Sequence, residues 1–225
     1  MRVVTYNVRG FRDGRGRVAD VVRAIAPDVL LLQETGSRRA LRRLAADVEM
    51  RVAHDPWSPL RRRVKNAVLL AEPWRFRSIE LKRFEPIRRW YPRGALVARA
   101  VAGPNAIWAI STHFGLGGPE RAAQAASLTE LLAGLGGGSV IVGGDLNATP
   151  DMRAVRTISA ALGDAWAHVG LGEGATFPAF APAARIDYVF VGGATTVVRA
   201  AVGAEGASRA SDHLPVVVEV RLTIG

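Results

Sequence analysis

The sequence predicts an α/β protein in which two mixed β-sheets pack face to face and carry helices on their outer sides. Three observations predict it. Hydrophobic residues make up 49% of the 225 positions, enough for one globular domain with a sizeable core. Apolar runs of strand length alternate with helix-length segments, and each half of the chain reads strand–helix–strand followed by antiparallel-looking strands. No linker rich in Pro, Gly or Ser and no short repeat interrupts the pattern, so residues 1–225 read as a single domain.

In chain order, the run Val3-Val4-Thr5-Tyr6 predicts a strand over 2–8, followed by a helix over 17–26. The buried-type run Val29-Leu30-Leu31-Leu32 predicts a strand over 28–33, then a helix over 36–46 and strands over 48–53, 66–71, 75–83 and 94–101. The second half opens with a strand over 106–112. Ala122, Ala125, Ala126, Leu128, Leu131 and Leu132 recur at helical spacing and predict a core-facing helix over 119–134. It is stopped by the glycine-rich stretch 134–138. A strand over 139–144, a short helix near 151–162 and strands near 186–191, 195–203 and 214–222 complete the pattern.

The chemistry collects where these strands end. Asn7, Glu34, His113, Asp145 with Asn147, Asp187, and Asp212 with His213 each stand at the edge of an apolar run. Asp, Asn and Glu offer hard oxygen ligands for a divalent cation, and His offers a base that titrates near neutral pH. Asp145 and Asn147 flank Leu146, so an extended backbone projects both to one side. Glu34 closes a buried strand, where a carboxylate is costly without a compensating cation. With no cysteine in the chain, a metal has only oxygen and imidazole donors available. Such edges suit a metal-assisted phosphoester hydrolase. His54 and His168 lack this company and read as surface or structural residues.

The ordered set, carried by Gln33-Glu34, Ser111-Thr112-His113, Gly143-Gly144-Asp145-Leu146-Asn147, Asp187 and Ser211-Asp212-His213, resembles the endonuclease/exonuclease/phosphatase superfamily. The resemblance runs from Asn7 to His213 and implies a four-layer α/β sandwich. It also implies Mg²⁺, with Mn²⁺ as the alternative, held chiefly by Glu34, assisted by Asn7 directly or through water, with Asp212 a second metal-associated carboxylate. By the same resemblance His213 is the general base, oriented by Asp187. Asp145 orients the attacking water or stabilises the transition state, Asn147 meets the scissile phosphate, and His113 contacts phosphate or protonates the leaving group. One departure stands out: pancreatic-type nucleases place a Glu near 91–94 to support that His, whereas this chain has Arg93, itself a candidate for binding substrate phosphate.

Charge suggests the substrate. The net charge is +10, yet residues 1–100 hold 23 Lys and Arg against 10 Asp and Glu, and residues 101–225 hold 7 against 10. The cations cluster at Arg38-Arg39 with Arg42-Arg43, Arg61-Arg62-Arg63 with Lys65, and Arg88-Arg89 with Arg93, among Trp57, Trp74, Trp90 and Tyr91. A basic, aromatic surface is expected to bind nucleic acid, DNA first; the competing interpretation is a solvated basic face. The alternative substrate is a lipid headgroup or small phosphorylated molecule, and a silent binding module is disfavoured because every acid and imidazole is retained. No apolar stretch is long enough to span a bilayer. A monomer in the cytoplasm, without a signal peptide or a membrane partner, is expected.

Overall fold

The computed structural model describes residues 1–56, 58, 61–85 and 90–223. Trp57 and the Arg88-Arg89 pair lie outside these residues. The first half forms β1 (Arg2–Asn7), α1 (Arg15–Ile25), β2 (Val29–Gln33), α2 (Arg38–Asp47), β3 (Arg51–His54), β4 (Ala67–Leu70), β5 (Arg75–Arg83) and β6 (Gly94–Ala102). The second forms β7 (Asn105–His113), α3 (Gly118–Ala133), β8 (Ser139–Asp145), α4 (Arg153–Ser159), β9 (Gly163–Asp164), α5 (Ala165–Val169), β10 (Asp187–Gly192), β11 (Thr195–Val202) and β12 (Val216–Leu222). The strands make two six-stranded mixed sheets, in the orders β11-β12-β1-β2-β4-β3 and β5-β6-β7-β8-β10-β9.

Alternation along the strands builds the layers, because successive side chains leave opposite faces of a strand. In β2, Val29 and Leu31 enter the layer between the sheets, with Leu96, Ile107, Ile141 and Val189 of the second sheet. Leu30 and Leu32 point the other way, onto α1 and α2 through Val18, Val22, Leu41 and Leu44. Val140 and Val142 of β8 likewise meet Ala125, Leu128, Val155 and Ile158 of α3 and α4. The result is a helix–sheet–sheet–helix sandwich. Each large side chain fully buried in it contributes about 1.5–3 kcal/mol.

Local chemistry moves several boundaries from their expected places. Val48 and Glu49 finish α2 instead of starting a strand, since Val48 N–H bonds Leu44 O and Glu49 takes a left-handed φ of 55°. The helix expected over 151–162 is confined to 153–159. Ala126 of α3 is exposed, and the buried face runs instead through Gln124, Ala125 and Leu128. The short α5 had no periodic signal. It is set by Asp164, whose Oδ1 caps Trp166 N–H at 3.0 Å and whose carboxylate pairs with Arg185 at 2.8 Å.

Gly143 and Gly144 do not act as a flexible turn. Both lie within β8, where a Cβ on Gly143 would come 2.6 Å from Leu31 Cδ1, and one on Gly144 would come 2.2 Å from Thr112 O. The pair removes the side chains that would hold the sheets, and neighbouring strands, apart just before Asp145. Polar groups also cross the buried layer here. Gln33 Nε2 lies 3.1 Å from Ser111 Oγ, and Asn66 Nδ2 donates to Gly94 O and Ser111 O at 2.9 and 3.1 Å. Buried polar groups are costly unless paired, so these bonds favour one register of sheet against sheet.

Candidate active site

Parallel pairing places Asn7 opposite Gln33, so Glu34 emerges next to Asn7 at the ends of β1 and β2. On the second sheet His113 pairs with Asp145, and Asp145 with Asp187, across β7, β8 and β10. The segment 211–213, just before β12, completes the group. Ser211 Oγ donates to Asn7 O at 2.7 Å and ties this segment to β1.

Asp145 is the hub. Its Oδ2 accepts from Asn7 Nδ2 at 2.9 Å and lies 3.3 Å from His113 Nε2 and 3.8 Å from His213 Nε2. Its Oδ1 accepts from Asn147 N–H at 2.9 Å, which bends Asn147 to a left-handed φ of 48°. Burial, then the charge of Asp187, push the Asp145 carboxyl up to about 7, against His213 and the bonds from Asn147 and Asn7.

His213 is buried, and its Nδ1 stands 2.9 Å from Asp187 Oδ2. That bond keeps a proton on Nδ1, so Nε2, on the side of Asp145, is the nitrogen that takes up and releases the second proton. Burial pulls the imidazole down, but Asp187, reinforced by Asp145 and Asp212, outweighs it and holds the group at about 9. Phe177 packs on the ring at a centroid distance of 4.9 Å. Sequence reasoning had no signal for Phe177, because its loop reaches the site only through the fold.

His113 has the opposite surroundings. Arg93 Nη1 lies 2.8 Å from its Nδ1, and burial, Arg93 and His213 hold it well below its ordinary value. Asn147 Nδ2 lies 3.2 Å from His113 Nε2 and donates to Phe114 O at 3.0 Å. Arg93, a candidate for substrate phosphate, thus stands on His113. Asp212 pairs with Arg9 Nε at 3.1 Å, so using it as a metal ligand would compete with that contact.

A divalent cation suits this donor set. The Glu34 carboxylate makes no hydrogen bond or ion pair among the described residues, and its residue holds a left-handed φ of 54°, a conformation strained for a side chain with a Cβ. Asp187 Oδ1 is buried without a hydrogen-bond partner among them. Asp145, Asp187 and His213 also offer ligand atoms within 4.8 Å of one another, a second buried group able to hold a metal ion. In that group the Asp187–His213 bond already occupies Nδ1, so Glu34 with Asn7 is the less encumbered pair.

The basic runs divide. Arg63 is drawn inward, with Nε on Asp55 Oδ1 at 2.7 Å and Nη1 on Gly36 O at 2.7 Å, and Arg38 bonds Pro56 O at 2.9 Å. Neither is a spare cation for a polyanion. Arg39, Arg42, Arg43, Arg61 and Arg62 are exposed. Arg62 lies 4.3 Å over the ring of Trp90, which is exposed along with Tyr91, whereas Trp74 is buried in the core.

Residues 4–213 match the model of the Endonuclease/Exonuclease/phosphatase family. The chain belongs to this family. Like its members it is a metal-dependent phosphoric ester hydrolase. Solved structures share the fold across nearly the whole chain. An endonuclease/exonuclease/phosphatase from Bacteroides vulgatus has a TM-score of 0.85 at 19% identity, covering 99% of this chain and 98% of that one. A humanized D. rerio TDP2 has a TM-score of 0.81 at 18% identity, covering 98% of each chain, and D. rerio TDP2 has also been solved with single strand DNA product. A Bacteroides thetaiotaomicron mannosyl-6-phosphatase has a TM-score of 0.78 at 17% identity, covering 99% of this chain and 100% of that one. Comparison with curated proteins yields no match. Among the described residues no helix is long and apolar enough to cross a membrane.

Proposed function

We propose that this protein is a Mg²⁺-dependent phosphodiesterase that hydrolyses nucleic acid, DNA in the first instance. The observation that carries the substrate class is the exposed patch of Arg61, Arg62 stacked on Trp90, and Tyr91, which leads along the chain into Arg93 and His113 at the site. Guanidinium groups contact phosphates, and exposed rings accept stacked bases whatever their sequence. The structure of D. rerio TDP2 with single strand DNA product is consistent with such a substrate on this fold.

Glu34 and Asn7 would hold the cation, which when bound supplies positive charge to offset that building on the phosphate oxygens. The protein's own groups do the rest. Asp187 fixes the tautomer of His213, and His213 Nε2 takes a proton from the water that attacks phosphorus. Asp145, between the two imidazoles, orients that water. Asn147 and His113 contact the scissile phosphate, where donors already in place stabilise developing charge without reorganising.

The second reading, a small phosphorylated substrate, is favoured by one observation: Arg38 and Arg63 are committed internally, so the basic runs present fewer free cations than the sequence suggests. A panel of plasmid, single-stranded DNA, RNA, a sugar phosphate and an aryl phosphodiester, with and without Mg²⁺, separates the two. DNA affinity should fall with salt, and Arg61→Gln with Arg62→Gln should flatten the log–log salt slope by about 1–2 while sparing aryl diester cleavage. DNA binding indifferent to salt and to both substitutions, with the aryl ester still cleaved, removes nucleic acid as the substrate.

A further inference from the structure

We infer that Arg93 is a positioning residue that locks His113 in the Nε2–H tautomer, making it a fixed hydrogen-bond donor toward the site instead of a group that gives up a proton. The inference rests on the phosphoesterase reading of the site but not on which phosphoester is cleaved.

A guanidinium has N–H donors and no acceptor. With Arg93 Nη1 at 2.8 Å, His113 Nδ1 must present its lone pair. A neutral imidazole then carries its single hydrogen on Nε2, which lies 3.3 Å from Asp145 Oδ2, an acceptor, and 3.2 Å from Asn147 Nδ2, an amide nitrogen that already donates to Phe114 O at 3.0 Å. The imidazolium form would set an N–H at Nδ1 against the N–H of Arg93, two donors facing each other in a buried site. His213 is arranged the other way round, with a carboxylate on Nδ1 at 2.9 Å. The two imidazoles flanking Asp145 are thereby made unequal by their partners: one keeps its hydrogen on Nε2, while the other keeps a hydrogen on Nδ1 and gains or loses its second proton at Nε2.

Backbone placement supports the contact. Gly94 pairs with His113 across β6 and β7, and Arg93 O accepts from Phe84 N–H at 3.0 Å, which seats Arg93 at the strand entry next to the ring. Gly94 must lack a side chain, since a Cβ there would come 2.4 Å from Lys82 O. Proton accounting follows. As the bond from water oxygen to phosphorus forms, the water proton passes to His213 Nε2. The leaving oxygen departs with the electron pair of its bond to phosphorus and takes no proton from His113.

The chain holds only 4 His, so the ring nitrogens of all of them can be resolved by ¹⁵N NMR, with His113→Gln identifying the signals of His113. The expected result for the wild-type protein at neutral pH is an unprotonated Nδ1 and a protonated Nε2 at His113. Arg93→Glu offers an acceptor and should move the proton to Nδ1, lowering kcat on an aryl phosphodiester by about 10²-fold, the cost of losing one fixed donor. Arg93→Gln keeps an N–H donor and should retain both the tautomer and most of kcat. A protonated Nδ1 in the wild-type protein overturns the inference without needing either variant to fold. So does a rise in KM with unchanged kcat in both variants, which would assign Arg93 to substrate phosphate. Failure to cleave DNA, with the tautomer as stated, would count against the substrate proposal alone.

Discussion

Replacing Asp187 by Asn keeps the shape of the residue and removes its charge, so its consequences separate along the pH axis. Asp187 is the largest influence raising His213, which sits at about 9 against an ordinary value of 6.5. With that charge gone, only Asp145 and Asp212 still oppose burial, so the imidazole falls from about 9 back toward its ordinary 6.5, a change of up to about 3 kcal/mol. At pH 7 only about 1% of the wild-type imidazole is neutral, two pH units below its pKa, whereas most of the variant's is. The variant therefore gains up to about 10²-fold in the reactive form at pH 7 while losing an oriented base, a loss of about 10²–10⁴-fold. Measured as kcat/KM on bis(4-nitrophenyl) phosphate from pH 6 to 9.5, the wild-type rate should climb across the range. The variant should plateau early and low, so that the gap between them widens steeply with pH. A parallel stability experiment carries its own sign. A folded pKa above the unfolded one adds stability that is complete below pH 6.5 and fades as pH rises toward 9. Wild-type protein should lose urea resistance over that window, and Asp187→Asn should not. A rate loss of the same factor at every pH would refute the claim that Asp187 sets the charge state of His213.

Glu34→Gln should leave the unfolding free energy within about 0.5 kcal/mol, because the half-buried carboxylate makes no hydrogen bond or ion pair among the described residues, while raising the Mg²⁺ concentration for half-maximal activity; an unchanged metal titration removes Glu34 from the ligand set. Arg63→Gln should cost about 3 kcal/mol, because it leaves the Asp55 carboxylate, which is 1% exposed, with the weaker partner Arg38 at 3.9 Å, and adding Asp55→Asn should recover much of it in a double-mutant cycle. Gly144→Ala should destabilise by about 1–3 kcal/mol through overpacking against Thr112 O, with activity falling further than stability because Asp145 is the next residue.

The layered architecture was legible in the sequence because alternation and helical spacing report directly on buried faces. The run Val29-Leu30-Leu31-Leu32 predicted a strand covered on both sides, and its residues do divide between two packed layers. The candidate residues at strand ends were legible for a related reason: polar groups that close apolar strands must emerge at a sheet edge, and Asn7, His113, Asp145, Asp187 and His213 meet there. What escaped was whatever depends on contacts distant in sequence. Nothing in the chain says that Arg63 folds inward onto Asp55 while Arg61 and Arg62 stay exposed, and the resemblance that put Arg93 near His113 did not say that it would face Nδ1. Nor does the pattern show why positions 143 and 144 are glycine, because a local run cannot display the second sheet arriving above it.

The interleaving of the two sheets has a consequence in time. The second sheet is built from β5–β10, one continuous stretch, whereas the first joins β1–β4 to β11 and β12. A chain emerging from the ribosome can therefore finish the sheet bearing His113, Asp145 and Asp187 while the other still lacks its closing strands and the imidazole of His213. Every intermediate length is missing the partner that Asp187 awaits. The site is therefore complete only once the segment made last is in place, where Ser211 Oγ bonds Asn7 O and His213 stands beside Asp145.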